Sequence, residues 1–244
     1  MFQSLVGAGV RVVQIGNPEF AGSGLTTAAL RGGEFVGARD LFARVDVAVD
    51  ALAGPGQSLI YLYWGEVDAA GHTNGWRSPE WRLALRSADL DLSRLASRLP
   101  AGTLLLVTAD HGMLDVPHAD RVDLASSDEL SRGIAVLGGE GRFAQIYCEP
   151  TAGPDDVAAV AARFADVLGD LAWVRTRDEA VAAGWFGPVE DRVRRRIGDI
   201  VVAGRGSFIL VDSRTARPQV LKLIGQHGSL TPAEQLVPLL VHQD

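Results

Sequence analysis

The run Ser58-Leu59-Ile60-Tyr61-Leu62-Tyr63-Trp64, the stripe that starts at Ser78-Pro79-Glu80, and the run Thr103–Thr108 decide the fold class. The first and last are continuous apolar runs, the pattern of strands covered on both faces. Between them, Ser78 supplies a helix-capping oxygen and Pro79 a first helical position. Trp81, Leu85, Ala88, Leu92, Leu95 and Leu99 then recur at helical spacing, and Pro100 stops the helix. Upstream, Arg11–Ile15 is a β-branched run closed by Gly16, Asn17 and Pro18. Asp40–Leu52 reads as a helix with Leu41, Val45, Ala48, Val49 and Leu52 on one face. Strand and helix alternate, which predicts an α/β fold: a central, mostly parallel sheet sandwiched by helices. From Val116 to Gly225 the pattern is denser and more hairpin-like. We expect residues 1–115 and 226–244 to form the α/β core, with residues 116–225 as a small inserted α+β sub-domain.

The composition narrows the function classes. The chain has 244 residues, 47% hydrophobic and 22% charged, enough to bury a full core. Its net charge of −7 disfavours a nucleic-acid polymer as partner, because that binding rests on a basic surface. A single cysteine, Cys148, excludes an internal disulfide and a thiolate-built metal site. No apolar run is long enough to predict a membrane span. Met1–Val13 lacks a basic leader and is interrupted by Gly7 and Gly9, so a cytoplasmic location is expected.

Three clusters carry chemistry, each placed after a strand-like run. They are Asp68-Ala69-Ala70-Gly71-His72, then Asp110-His111-Gly112, then Gly225-Gln226-His227-Gly228 after the apolar stretch Val220–Ile224. Loops beyond the carboxyl ends of strands converge in open α/β sheets, so distant residues can share a site. Imidazole and carboxylate suit zinc and related divalent ions. Asp110 and His111 are neighbours, so they reach one ion only from irregular backbone. Taken singly, each cluster also reads as a turn, a helix cap or a surface histidine. Thr231-Pro232-Ala233-Glu234 reads as a capping box, expected to be structural and to fix the entry of the chain that holds His227. The basic run Arg192, Arg194, Arg195 and Arg196 reads as a solvated turn.

Thr108-Ala109-Asp110-His111-Gly112-Met113, preceded by Asp68-x-x-Gly71-His72 and followed by Gly225-Gln226-His227-Gly228, resembles the alkaline phosphatase superfamily. Within it, the likeness is to the type I phosphodiesterase/nucleotide pyrophosphatase branch. The resemblance implies an alkaline-phosphatase-like fold with a cap-like insertion, and two zinc ions. Asp68, His72 and His227 match the protein ligands of one zinc, and Asp110 and His111 match two ligands of the second. It implies hydrolysis of a small phosphoester, nucleotides among the candidates. Trp76 and Trp185, beside glycines, are candidate walls of a substrate pocket. The family's first motif, which brings a further Asp ligand and a Thr or Ser nucleophile, has no counterpart here. The chain therefore reads as an N-terminally truncated member. Ser23, Thr26 and Thr27 are the substitute hydroxyls, with capping of the segment Leu25–Leu30 as their ordinary role. The alternative function is a non-catalytic metal-binding remnant. A sulfatase would need its reactive cysteine near the nucleophile, and Cys148 lies elsewhere.

Overall fold

The computed structural model describes residues 1–243. The chain divides into two compact units, one comprising Met1–Ala70, Arg77–Thr108 and the segment from Leu239, the other Gly71–Trp76 and Ala109–Pro238.

In the first unit, α1 (Phe2–Gly7) leads into β1 (Arg11–Gly16). Its Val-Val-Gln-Ile core places branched side chains on both faces. β1 is flanked on both sides and parallel to both neighbours, β2 (Glu34–Gly37) and β3 (Ser58–Leu62). Between β1 and β2 lies α2 (Gly24–Ala29), and between β2 and β3 lies α3 (Leu41–Leu52). The stretch from Asn17 to Gly37, which reads as a loop in the sequence, thus holds a short helix and a strand. The Asp40 carboxylate accepts from the Ala43 amide at 2.7 Å and starts α3, which lays Leu41, Val45 and Ala48 onto Val13 and Ile15. After β3 come α4 (Glu66–Asn74) and α5 (Pro79–Ala96). As expected, Ser78 Oγ accepts from the Trp81 amide at 3.1 Å.

Two expectations need correction here. The apolar stripe of α5 is covered only in part: Ala88 and Leu95 are buried, whereas Leu85 is 45% exposed. The covered part belongs to the half of α5 that meets α3, where Arg94 and Arg98 both pair with Asp46. β4 (Leu104–Thr108) is not covered on both faces either; Leu104 and Leu106 are more than half exposed. Its partner is the C-terminal strand Leu239–Gln243, which runs antiparallel to it. The unit therefore mixes a parallel sheet with an antiparallel pair.

The second unit is built on an antiparallel sheet. Its chain enters through β5 (Leu114–Asp115) and β6 (Arg121–Asp123). The sheet consists of β7 (Ile134–Glu140), β8 (Phe143–Cys148), β9 (Ala172–Thr176) and β10 (Ile200–Gly204), in the order β7-β8-β10-β9. The helix Pro154–Leu168 covers one face and inserts Val160, Phe164 and Leu168 between Ile146, Val174 and Ile200. β11 (Ile209–Val211) runs parallel to β6, and β12 (Gly225–Gln226) antiparallel to β5. The run Val220–Ile224 is not a strand; it holds a 3-10 turn at Val220–Lys222, and Arg121 grips it by donating to the Leu221 and Leu223 carbonyls. The basic run is solvated, as expected, but Arg192 and Arg194 lie in a short helix, Asp191–Arg194, and not in a turn; Arg192 pairs with Glu190 and Arg194 with Asp178 at the surface.

Candidate metal centre

The β5–β12 ladder is the local device that brings distant clusters together. It pairs Gly225 with Asp115 and Gln226 with Leu114, and the Val116 amide extends it by donating to the Ile224 carbonyl at 2.9 Å. His227 leaves this ladder at one end, and the irregular segment carrying His111 joins it at the same end. The two imidazole rings are stacked, 3.4 Å between centroids and 11° between planes. His72 comes from the last turn of α4. Its carbonyl accepts from the Ile224 amide at 2.8 Å, and its ring lies 5.1 Å from that of His227.

Gly225 makes this approach possible. A methyl group there would overlap the Gly71 carbonyl and Met113 Sδ. Gly225→Ala is therefore expected to cost about 1–3 kcal/mol, because the opposing atom is backbone and cannot swing away. Urea denaturation reads this loss, and zinc titration should show weaker binding in the same variant. Gly112 is equally constrained: a methyl would fall on the Ala233 carbonyl. Its amide donates to the Glu234 carbonyl at 2.8 Å.

Asp68 and His72 do not sit in a loop. Both lie on α4, four residues apart, which puts them on one helix face. Asp68, His72 and His227 each offer a ligand atom, and the three atoms lie within 4.8 Å of one another. A carbonyl only accepts, so His72 Nδ1, 2.7 Å from the Gly225 oxygen, carries the proton and Nε2 holds the lone pair. The same reasoning applies to His111, whose Nδ1 lies 2.8 Å from the Gly112 oxygen. Its Nε2 then faces Asp110 Oδ1 at 3.6 Å. One carboxylate with two imidazoles and no thiolate is a donor set that fits zinc or manganese. Asp110, in irregular backbone as its spacing requires, is three-quarters exposed and outside the three-residue group.

Trp76 follows the α4 turn, half-buried, and its amide donates to Asp115 Oδ1 at 2.9 Å. Trp185 is engaged differently: it packs with Phe143, ring centroids 5.9 Å apart, against the cluster of Ala180, Ile197 and Val201. Ser23 is the N-cap of α2. Its Oγ accepts from the Thr26 amide and donates to Thr26 Oγ1 at 3.0 Å; Thr27 lies in the same first turn.

Glu234 is the residue whose buried partner sequence reasoning missed. Thr231 makes no side-chain cap to the short helix Pro232–Gln235. The Glu234 carboxylate instead lies fully buried against Arg142, with Nε to Oε1 at 2.9 Å and Nη2 to Oε2 at 2.7 Å. The signal was faint: an arginine just after the glycines 138, 139 and 141, where β7 turns into β8. Burial pushes the Glu234 carboxyl up, but hydrogen bonds from Arg142, Thr231 and the Ser229 amide outweigh it and leave the group below the ordinary glutamate value. A depressed carboxyl contributes stability above its unfolded value, about pH 4.3, and loses it as pH falls through the folded one. Urea denaturation between pH 6 and pH 3 should show a steeper acid loss for the native chain than for Glu234→Gln.

Fold and site together define the class, an alkaline-phosphatase-like α/β protein. Residues 19–230 match the model of the type I phosphodiesterase/nucleotide pyrophosphatase family, and the chain belongs to that family. It is similar to murine ectonucleotide pyrophosphatase/phosphodiesterase 5, with a TM-score of 0.72 and 18% identity, over 98% of this chain and 62% of that one. An inactive variant of the same murine protein was solved with AMP. Phosphonoacetate hydrolase from Sinorhizobium meliloti 1021, in complex with phosphonoformate, gives a TM-score of 0.69 at 20% identity, over 100% of this chain and 68% of that one. Human ectonucleotide pyrophosphatase/phosphodiesterase family member 7 is 33% identical over 79 residues, 17% of its length. The chain thus spans less than two thirds of the murine and human relatives. Among the described residues no helix is long and apolar enough to cross a membrane.

Proposed function

We propose that this chain carries the metal centre of a zinc-dependent phosphoric ester hydrolase of the phosphodiesterase/nucleotide pyrophosphatase type. The observation that carries the reading is the convergence of Asp68, His72 and His227, whose ligand atoms lie within 4.8 Å of one another. These three would hold one zinc, and Asp110 and His111 would contribute to a second. A bound divalent ion would supply Lewis acidity toward phosphoryl oxygens and lower the pKa of an attacking hydroxyl or water. The protein's own part is orientation. The Gly225 carbonyl fixes the His72 ring and its tautomer, and the Gly112 carbonyl does the same for His111. Trp76 is our candidate for apolar contact with the substrate, a small phosphoester of the nucleotide kind; Trp185, the other candidate, packs on Phe143. AMP in the murine relative agrees with that class.

A second reading, a metal-binding shell without turnover, is favoured by one observation. Ser23 and Thr26, two of the three substitute hydroxyls, hydrogen-bond to each other at the start of α2. One experiment separates the two: zinc analysis of purified protein with a steady-state assay on bis(p-nitrophenyl) phosphate. We expect about one tightly held zinc and only slow hydrolysis. Brisk zinc-dependent turnover would overturn the second reading. Absence of bound zinc would overturn both.

A further inference from the structure

We propose that the Arg142–Glu234 ion pair is a positioning device that holds the His111 and His227 segments at ligand spacing. This rests on the metal-centre reading and adds to it two residues that would touch neither metal nor substrate.

Glu234 reaches both segments at once. Its main-chain carbonyl accepts from the Gly112 amide at 2.8 Å, one residue beyond His111. Its carboxylate accepts from the Ser229 amide at 2.9 Å, two residues beyond His227, and from the Thr231 hydroxyl. Ser229 is pinned further: its hydroxyl donates to the Gly204 carbonyl at 2.7 Å, and its own carbonyl accepts from Gln235 Nε2 at 2.7 Å. The carboxylate thus holds the segment after His227, while the main chain of the same residue holds the segment after His111.

Arg142 fixes the direction of the carboxylate. It stands at the β7–β8 turn, fully buried, and grips both carboxylate oxygens as a planar fork. Its remaining donors are held by the Phe208 carbonyl at 2.5 Å and the Gly204 carbonyl at 3.0 Å. The Gly204 amide donates back to the Arg142 carbonyl at 2.8 Å. A chain of directional bonds thus runs from the sheet through Arg142 and Glu234 to the neighbours of two imidazoles. Apolar residues would anchor the same turn without the desolvation cost of two buried charges. What they would not supply is orientation, and a metal centre depends on it, since groups that orient ligands typically shift metal affinity about 10–100-fold.

The test is zinc titration of the native chain and Glu234→Gln, with the visible spectrum of the cobalt-loaded forms as the geometric readout. Glu234→Gln should bind zinc about 10–100-fold more weakly and show altered cobalt bands. If this variant fails to fold, Arg142→Met/Glu234→Gln replaces it: it carries no unpaired buried charge, keeps an acceptor for Ser229, and should show the same weakened binding. Phe164→Leu supplies the control, a core change in the same unit remote from these bonds, and should keep native zinc affinity despite lower stability. Native affinity and an unchanged cobalt spectrum in the ion-pair variants would overturn the proposal. So would an equal loss of affinity in Phe164→Leu, which would reduce the pair to a stability effect. Failure of the native chain to bind zinc would sink the metal-centre reading itself, and the positioning role with it.

Discussion

His227→Ala is expected to abolish tight zinc binding while leaving the fold in place. Three donors converge, and two would remain: a carboxylate and one imidazole on the same helix face. A helix presents such a pair on one side of an ion only, so closure of a tetrahedral set depends on the residue that arrives from elsewhere. Loss of a direct ligand should weaken binding by more than the roughly 10–100-fold typical of residues that merely orient ligands. The side chain is only half-buried at the end of a two-residue strand, so stability without metal should change by less than about 1 kcal/mol. Isothermal titration with zinc measures the affinity, and thermal unfolding of the metal-free protein measures the second quantity. His118→Ala is the matched control, an exposed histidine in a 3-10 turn, and should bind zinc as the native chain does.

Arg142→Ala should be among the most destabilising single substitutions in the second unit. It leaves the Glu234 carboxylate buried without its counter-charge and removes a donor from the carbonyls of Phe208 and Gly204. Breaking a buried pair from one side costs about 3–5 kcal/mol, most of it the desolvation of the charge left behind. Surface pairs behave otherwise. Arg192 and Glu190, 76% and 69% exposed, should contribute no more than about 1 kcal/mol. Urea denaturation of Arg142→Ala and Arg192→Ala side by side tests the contrast. Equal, small losses would mean that solvent reaches the Arg142 site.

The elements legible in the sequence are those with a local cause. Ser78 announces a helix start with a capping oxygen, and that cap is made. β1 is a run whose burial follows from composition alone, and it appears where its residues predict. What stayed hidden is pairing across long separations. β2, only four residues, hides in a glycine-rich stretch because its hydrogen bonds come from β1 and not from its own pattern. The antiparallel partner of β4 lies more than a hundred residues downstream, so nothing near Thr103–Thr108 marks that run as half-exposed. The site divides the same way. Asp68, His72, Asp110, His111 and His227 are visible as residue types beside glycines. The helix under Asp68 and His72 is masked by Gly71, a poor helix residue buried because Gly225 packs on its carbonyl. The Arg142–Glu234 pair spans 92 residues and imitates a capping box, so local reading assigns Glu234 to the wrong partner.

The central claim is that carboxylate and imidazole side chains from distant segments share a bound cation. Crystals grown with zinc and measured on both sides of the zinc absorption edge test it most directly. The account predicts an anomalous peak in contact with Asp68, His72 and His227. A peak elsewhere, or none with these three side chains ordered, would contradict it.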